Sequence, residues 1–236
     1  MKNDRASSPL KDKLSGLAPA LPVVMGYLPI GFAFGVMAAG AGISPLNSAL
    51  MSLIVFAGSA QLMAVGFISQ GMNPWAIVAA TFIINLRHLL MSASLSRYMR
   101  AWSKPQVAAF AFELTDETFG VHSLRFEQDD TGAGRALRIN LVCHLAWISG
   151  TLLGVLAGGL IDDVRLLGLD FALPAMFIAL LVLQLRGRMY TWVALGAGAL
   201  SMLIWVVGLT QWNVILAAVT AAGVAAGVET WYRKRS

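Results

Sequence analysis

Several groups of polar residues interrupt an otherwise apolar chain, and each has residue types and spacing that could do chemistry. The first is Gly58-Ser59-Ala60-Gln61. Small residues there permit a tight backbone break, and amides freed at a half-helix N-terminus offer partial positive charge to a carboxylate. Gln61 can donate or accept a hydrogen bond at the same depth. The plainer reading is close helix packing by Gly58, Ser59 and Ala60, with Gln61 bonded to a neighbouring helix. A second group, Asn85-Leu-Arg87-His88, sets an amide, a cation and a titratable ring at the end of a long apolar run. That combination suits a gate or a proton relay. It equally suits an Arg87 that snorkels to the interface beside a His88 among headgroups, with Asn85 deeper.

Glu113, Asp116 and Glu117 form the third group and share one helical face through i+3 and i+4 spacing. Carboxylates that close repel, so at least one pKa rises, which suits proton carriage or an ammonium ligand. In a cytoplasmic segment the same residues are a solvated acidic patch. His144 lies deep in another apolar run, either hydrogen-bonded to a neighbouring helix or on a transport path. Asp162 and Asp163 read as an exposed outer turn, and Asp170 as an N-cap before Phe171-Ala172-Leu173-Pro174.

The elements that must hold these residues lie in a membrane. From Leu14 to Leu86 there is no Lys, Arg, Asp, Glu or His, a run about three times the roughly 20 residues that cross a bilayer as helix. Charged residues make up 12% of the 236-residue chain, against about 25% in soluble domains, and the mean hydropathy is +0.72. The expected fold is therefore an all-α polytopic membrane protein, a single transmembrane domain over 1–236. The net charge of +5 is read as a topology signal rather than as affinity for nucleic acid.

Apolar segments fall at 17–41, 46–69, 74–96, 137–161, 171–185, 189–207 and 213–230, with a weaker one at 106–122 that carries three carboxylates. If every segment crosses, there are eight spans. If 46–69 is instead a re-entrant pair broken near Gly58–Gln61, six spans result and Arg97, Arg100 and Lys104 return to the cytoplasm. The positive-inside bias prefers six and plain length prefers eight. Both put the tails 1–13 and 231–236 in the cytoplasm.

An internal echo aligns Gly31-Phe-Ala-Phe-Gly35 with Gly150-Thr-Leu-Leu-Gly154, the Gly-xxx-Gly spacing of closely packed membrane helices. It is either convergence or the trace of a parallel repeat with halves near 14–122 and 137–230, a duplication common in transporters. Cys143, the one cysteine, reads as a small packing residue. The basic start, with Lys2, Arg5, Lys11 and Lys13, precedes too long an apolar run for a signal peptide and reads as an uncleaved first span. Gly-x-Ser-x-Gly, His-Glu-x-x-His and Gly-x-x-x-x-Gly-Lys are absent. An enzyme is not expected, and neither is a metal or cofactor.

Gly26-Tyr-Leu-Pro29-Ile-Gly31-Phe-Ala-Phe-Gly35, Val55-Phe-Ala-Gly58-Ser59-Ala60-Gln61, Asn85-Leu-Arg87-His88, Leu114-Thr-Asp116-Glu117 and Gly168-Leu-Asp170-Phe-Ala-Leu-Pro174 resemble the AzlC family along essentially the whole chain. Each motif is loose, but the five in order are specific. The resemblance implies the larger subunit of a two-component branched-chain amino acid exporter in the inner membrane, working with a small AzlD-type membrane subunit on valine, leucine, isoleucine and methionine. The residues themselves fit a transporter of another small solute, or a channel-like or scaffold component, equally well.

On this reading the break at Gly58, Ser59, Ala60 and Gln61 meets a substrate carboxylate, with Asn85 beside it. Asp116 meets the ammonium group. Glu113, Glu117, Arg87, His88 and His144 are candidates for proton coupling or gating, and Phe32, Phe34 and Phe56 for apolar walls.

Overall fold

The computed structural model describes residues 16–160 and 188–208, with individual residues between 171 and 227. Asp162, Asp163, Asp170, the tails 1–13 and 231–236, and most of the segments expected at 171–185 and 213–230 lie outside the described residues. The chain forms two compact units, Met1–Met176 and Phe177–Ser236.

In the first unit α1 runs Leu21–Gly40, entered through a 3-10 turn at Ala18–Ala20. Next come α2 (Pro45–Leu50), a π-helical turn (Met51–Val55) and α3 (Gly58–Ser69). Then follow α4 (Pro74–Leu95), α5 (Lys104–Phe112), α6 (Asp116–Glu127) and α7 (Ala133–Gly158). Local sequence starts most of these helices. Ser44 accepts from Asn47 N–H and Asn73 from Trp75 N–H, each just before a proline at the first helical position. Gln106 reaches back to the Ser103 amide ahead of α5. Thr115 and Thr118 cap α6 reciprocally, each side chain bonding the other's amide.

Two apolar segments are broken, the first of them the one for which a break near Gly58–Gln61 is expected. The 46–69 segment is interrupted at Phe56, whose φ is +41°, and Ala57, which is non-helical (φ −134°, ψ 80°); the new helix begins at Gly58. The 106–122 segment is interrupted at Glu113-Leu114-Thr115. Each helical half runs about half a bilayer thickness at 1.5 Å per residue.

Among the described residues four helical stretches are long and apolar enough to cross a membrane: Ala18–Gly40, Pro74–Tyr98, Ala133–Gly158 and Arg188–Val206. α1 and α7 pack backbone to backbone through the echoed glycines. A Cβ on Gly31 would lie 2.8 Å from the Trp147 carbonyl oxygen, and one on Gly35 2.2 Å from that of Thr151. From the other side, a Cβ on Gly150 would lie 2.5 Å from Leu28 O and one on Gly154 2.0 Å from Phe32 O. Contacts advance together along both helices (Gly31 with Gly150, Gly35 with Gly154, Ala39 with Gly158), so α1 and α7 run parallel.

α4 runs the other way. Its C-terminal Leu95 and the following Met99 share a buried cluster with Phe110, Phe126 and Ala136, and Trp102 Nε1 donates to Thr131 O at 2.9 Å. The end of α4 therefore sits beside the start of α7, at the same end of the unit as the start of α1. It follows that α2–α3 leaves and returns to the far end, and α5–α6 leaves and returns to the near end. Two hairpins of half-helices thus enter from opposite ends and meet at their breaks.

This arrangement makes a labelling prediction. Cysteines placed at Ala41 and Gln70 should react with an impermeant thiol reagent from one face of the membrane, and those at Arg100 and Gln128 from the other. Cys143 is buried and adds little background. Labelling of Ala41 and Gln70 positions from opposite faces would refute the hairpin.

In the near-end loop after α6, Asp130 accepts from both Arg125 (2.8 Å) and Arg135 (2.8 Å), clipping α6 to the first turn of α7. Burial is the largest single influence on its pKa and acts upward, but the hydrogen bonds and charges of the two arginines together outweigh it and hold the carboxyl below its ordinary range.

In the second unit α8 (Arg188–Val206) has no buried residue among those described, and Trp192, Met202 and Val206 are each 73% exposed. Large apolar side chains so exposed are at home only against lipid or another apolar chain.

Candidate functional site

The meeting of the two breaks gathers most of the residues singled out in the sequence. Phe56, in a left-handed conformation that bulky residues rarely adopt, ends the first half of its hairpin. Gln61 stabilises the break from within: its Oε1 accepts from Ala57 N–H at 3.2 Å and its Nε2 donates to Ser52 Oγ at 3.3 Å. Thr151 already donates to Trp147 O (3.0 Å), so the 2.7 Å contact between Ser52 and Thr151 has Ser52 as donor. Gln61 thus serves as a structural buttress of the break, bonded as well to the residue facing α7. The amides of Gly58, Ser59 and Ala60 precede the first helical bond of α3, which is Gln61 N–H to Ala57 O, and have no acceptor within their own helix. Gly58 is required sterically: the Trp147 indole would lie 2.9 Å from a Cβ there.

Arg87 of α4 reaches into this junction. Its guanidinium hydrogen-bonds Ser59 Oγ and pairs with Asp116 at 2.8 Å, so one cation links the start of α3 to the start of α6. Arg87 does not snorkel away from the protein: 26% of its side chain is exposed, and 14% of that of Asp116.

The expected shared face of three carboxylates does not form, because the helix breaks between Glu113 and Asp116. Each carboxylate instead finds its own neighbour. Asp116 pairs with Arg87; Glu117 accepts from Tyr27 OH at 2.7 Å; Glu113 Oε1 lies 3.6 Å from His144 Nδ1. With its proton given to Glu117, the Tyr27 oxygen accepts from Thr115 Oγ1 at 2.5 Å. His144 Nε2 bonds the Ser52 carbonyl at 3.0 Å, and its ring stacks on Phe56 at 4.0 Å. Phe34 is fully buried against Trp147, so Phe34 and Phe56 both pack on aromatic rings of α7.

His88 lies half-buried with its ring against the Leu114 backbone. Asn85, two residues before Arg87, buries Oδ1. Several buried polar atoms of this region have no partner: Asn85 Oδ1, Arg87 Nε, His88 Nε2, Glu113 Oε2 and Trp147 Nε1. Buried unpaired groups cost about 1–3 kcal/mol each, so their concentration at one junction marks a place built for something other than rigidity. Among the described residues no group of His, Cys, Asp and Glu could hold a metal ion.

Sequence reasoning passed over Tyr27, Ser52, Thr115 and Trp147. Thr115 carried a readable signal, a threonine directly before Asp116-Glu117 with Thr118 after them, which is a helix start. Tyr27, Ser52 and Trp147 carried none, since aromatic and small polar residues are ordinary in membrane helices.

Apolar helices of bilayer length and two broken hairpins meeting at a cluster of charged side chains define a polytopic α-helical membrane protein. The family model described as AzlC protein matches residues 22–161, and the chain belongs to the AzlC family. An uncharacterized membrane protein of Archaeoglobus fulgidus is 34% identical over 208 residues, covering 86% of this chain and 89% of its own. The inner membrane protein YgaZ of Escherichia coli is 30% identical over 181 residues, 74% of each chain. The branched-chain amino acid transport protein AzlC of Bacillus subtilis is 28% identical over 165 residues, 70% of this chain and 64% of its own. No solved structure matches the chain.

Proposed function

We propose that this protein is an inner-membrane secondary exporter of the branched-chain amino acids valine, leucine and isoleucine, with the unbranched methionine as a further substrate, acting with a small AzlD-type membrane subunit. The observation that carries the proposal is Arg87, held between Ser59 at the start of α3 and Asp116 at the start of α6. A zwitterion entering between them gives its carboxylate to Arg87 and the free amides of Gly58–Ala60, and its ammonium to Asp116. Each buried ion exchanges one partner for an equivalent one, so neither is left alone in a low-dielectric site. Asn85 Oδ1, buried and unpaired, is placed to accept a further hydrogen bond. The substrate class rests on the family and on the name of the Bacillus subtilis relative; the partner subunit rests on the family resemblance.

Charge supports reading the side of the N-terminus as cytoplasmic. The near end of the first unit carries Arg97, Arg100, Lys104, Arg135 and Arg138, while the far-end loops 41–44 and 70–73 carry no Lys or Arg, the bias expected of a cytoplasmic face. With α2–α3 re-entrant, this favours six crossings.

The test is efflux. Cells lacking their own exporters are loaded with a leucine-containing dipeptide, and leucine release is followed with and without this chain and its small subunit. Faster release that excess valine or isoleucine slows is expected. Unchanged release of every amino acid tried would overturn the reading.

A further inference from the structure

One pair at the junction has too many acceptors for the protons that are drawn to it. A carbonyl oxygen only accepts, so the 3.0 Å contact of His144 Nε2 with Ser52 O fixes Nε2 as the N–H donor. The neutral ring is then bare at Nδ1, the atom facing Glu113 Oε1 at 3.6 Å. A lone pair facing a carboxylate where both side chains are largely buried is repulsive, and the distance exceeds any hydrogen bond between the two. One proton resolves the conflict, held on Nδ1 as an ion pair or on Glu113 as a donor to Nδ1. Glu113 also differs from its neighbours in supply. Asp116 has the Arg87 guanidinium and Glu117 has the Tyr27 hydroxyl, whereas Glu113 Oε2 is buried with no partner.

The other titratable or charged groups around the pair are accounted for. Tyr27 approaches from α1 and is spent on Glu117. Arg87, with His88 beside it, approaches from α4 and is spent on Asp116 and Ser59. Cys143, adjacent in α7, lies within electrostatic reach of Glu113 and Glu117. α2, the π turn and α3 contribute no titratable side chain (Pro45–Ser69).

The pair is also mechanically tied to the break. His144 grips the carbonyl of Ser52 in the π turn and stacks on Phe56, whose φ of +41° forms the break. A change in its charge and in its distance from Glu113 therefore pulls on the segment that sets where the α3 amides point.

Resting on the exporter reading above, we infer that Glu113 and His144 hold one exchangeable proton and couple substrate export to proton entry through the Phe56–Ala57 break. The proton binds from the outer side, sits between Glu113 Oε1 and His144 Nδ1, and leaves to the cytoplasm as a substrate molecule goes out. With a zwitterionic substrate, each cycle moves one positive charge inward.

The test uses everted membrane vesicles carrying the chain with its small subunit. Two activities are measured: leucine accumulation driven by an acid-inside pH gradient, and leucine–leucine counterflow without a gradient. Wild type is expected to show both. Glu113→Gln, and separately His144→Gln, which keeps a donor for Ser52 O, are expected to lose gradient-driven accumulation and keep counterflow, now independent of pH. Accumulation surviving in either variant overturns the inference. So does loss of counterflow in both variants at normal protein levels, and so does wild-type accumulation that ignores the pH gradient. Absence of counterflow in wild type is a different result, and it refutes the exporter reading itself.

Discussion

Gly154→Ala should destabilise this protein more than any other single methyl addition proposed for the α1–α7 contact. The added methyl would sit 2.0 Å from the Phe32 carbonyl oxygen and 2.8 Å from the carbon that bears it, with Gly35 Cα at 3.0 Å. All of these are backbone atoms, so no rotamer change relieves the clash and the two helices must separate. Overpacking by one methyl costs about 1–3 kcal/mol where side chains can adjust; here the upper end of that range is expected. The loss is larger in effect than in number, because the α1–α7 contact carries Tyr27, His144 and Trp147 to the junction. The measurement is thermal unfolding of the detergent-solubilised protein, with Gly40→Ala, whose Cβ meets nothing within 4 Å, as the control. Equal melting temperatures for the two variants would show that the helices do not cross where the glycines place them.

The second large effect is expected at Arg87. Arg87→Gln leaves Asp116 in a low-dielectric junction without its cation, and breaking a buried pair by removing one partner costs about 3–5 kcal/mol. The remaining exposure of both side chains (26% and 14%) puts the expected loss near the lower figure. Transport and stability then part company. Arg87→Gln combined with Asp116→Asn removes both charges, and stability should return close to wild type, while leucine efflux stays lost because neither end of the zwitterion finds its ion. A double variant that transports like wild type would reduce the pair to a structural strut. Arg87→Lys is expected to restore charge but not transport, since a single ammonium does not reproduce a guanidinium shared between Ser59 and Asp116.

Much of this architecture is legible in the residues. The uncharged run from Leu14 to Leu86, the small residues Gly58–Ala60 and the paired Gly-xxx-Gly motifs point to membrane helices, to a break and to a close crossing, and the structure has all three. The break falls at Phe56–Ala57, two residues earlier than the small-residue cluster. Gly58 is small because Trp147 covers the new helix start, a reason no local pattern could reveal. The acidic segment was the least legible. An i, i+3, i+4 spacing implies one face only while the helix is continuous, and the Thr115 cap ends that continuity between Glu113 and Asp116.

The sequence by itself determined the solvent, the helical class and the set of charged and polar residues at stake, because these depend on composition and on spacing along the chain. Only the tertiary structure decided which partner each charge receives. Glu113, Asp116 and Glu117 lie within five positions of one another, yet they face three different helices, meeting His144, Arg87 and Tyr27. Those pairings are set by how two broken hairpins and the parallel α1–α7 contact stack in space, over separations along the chain where no periodicity carries information.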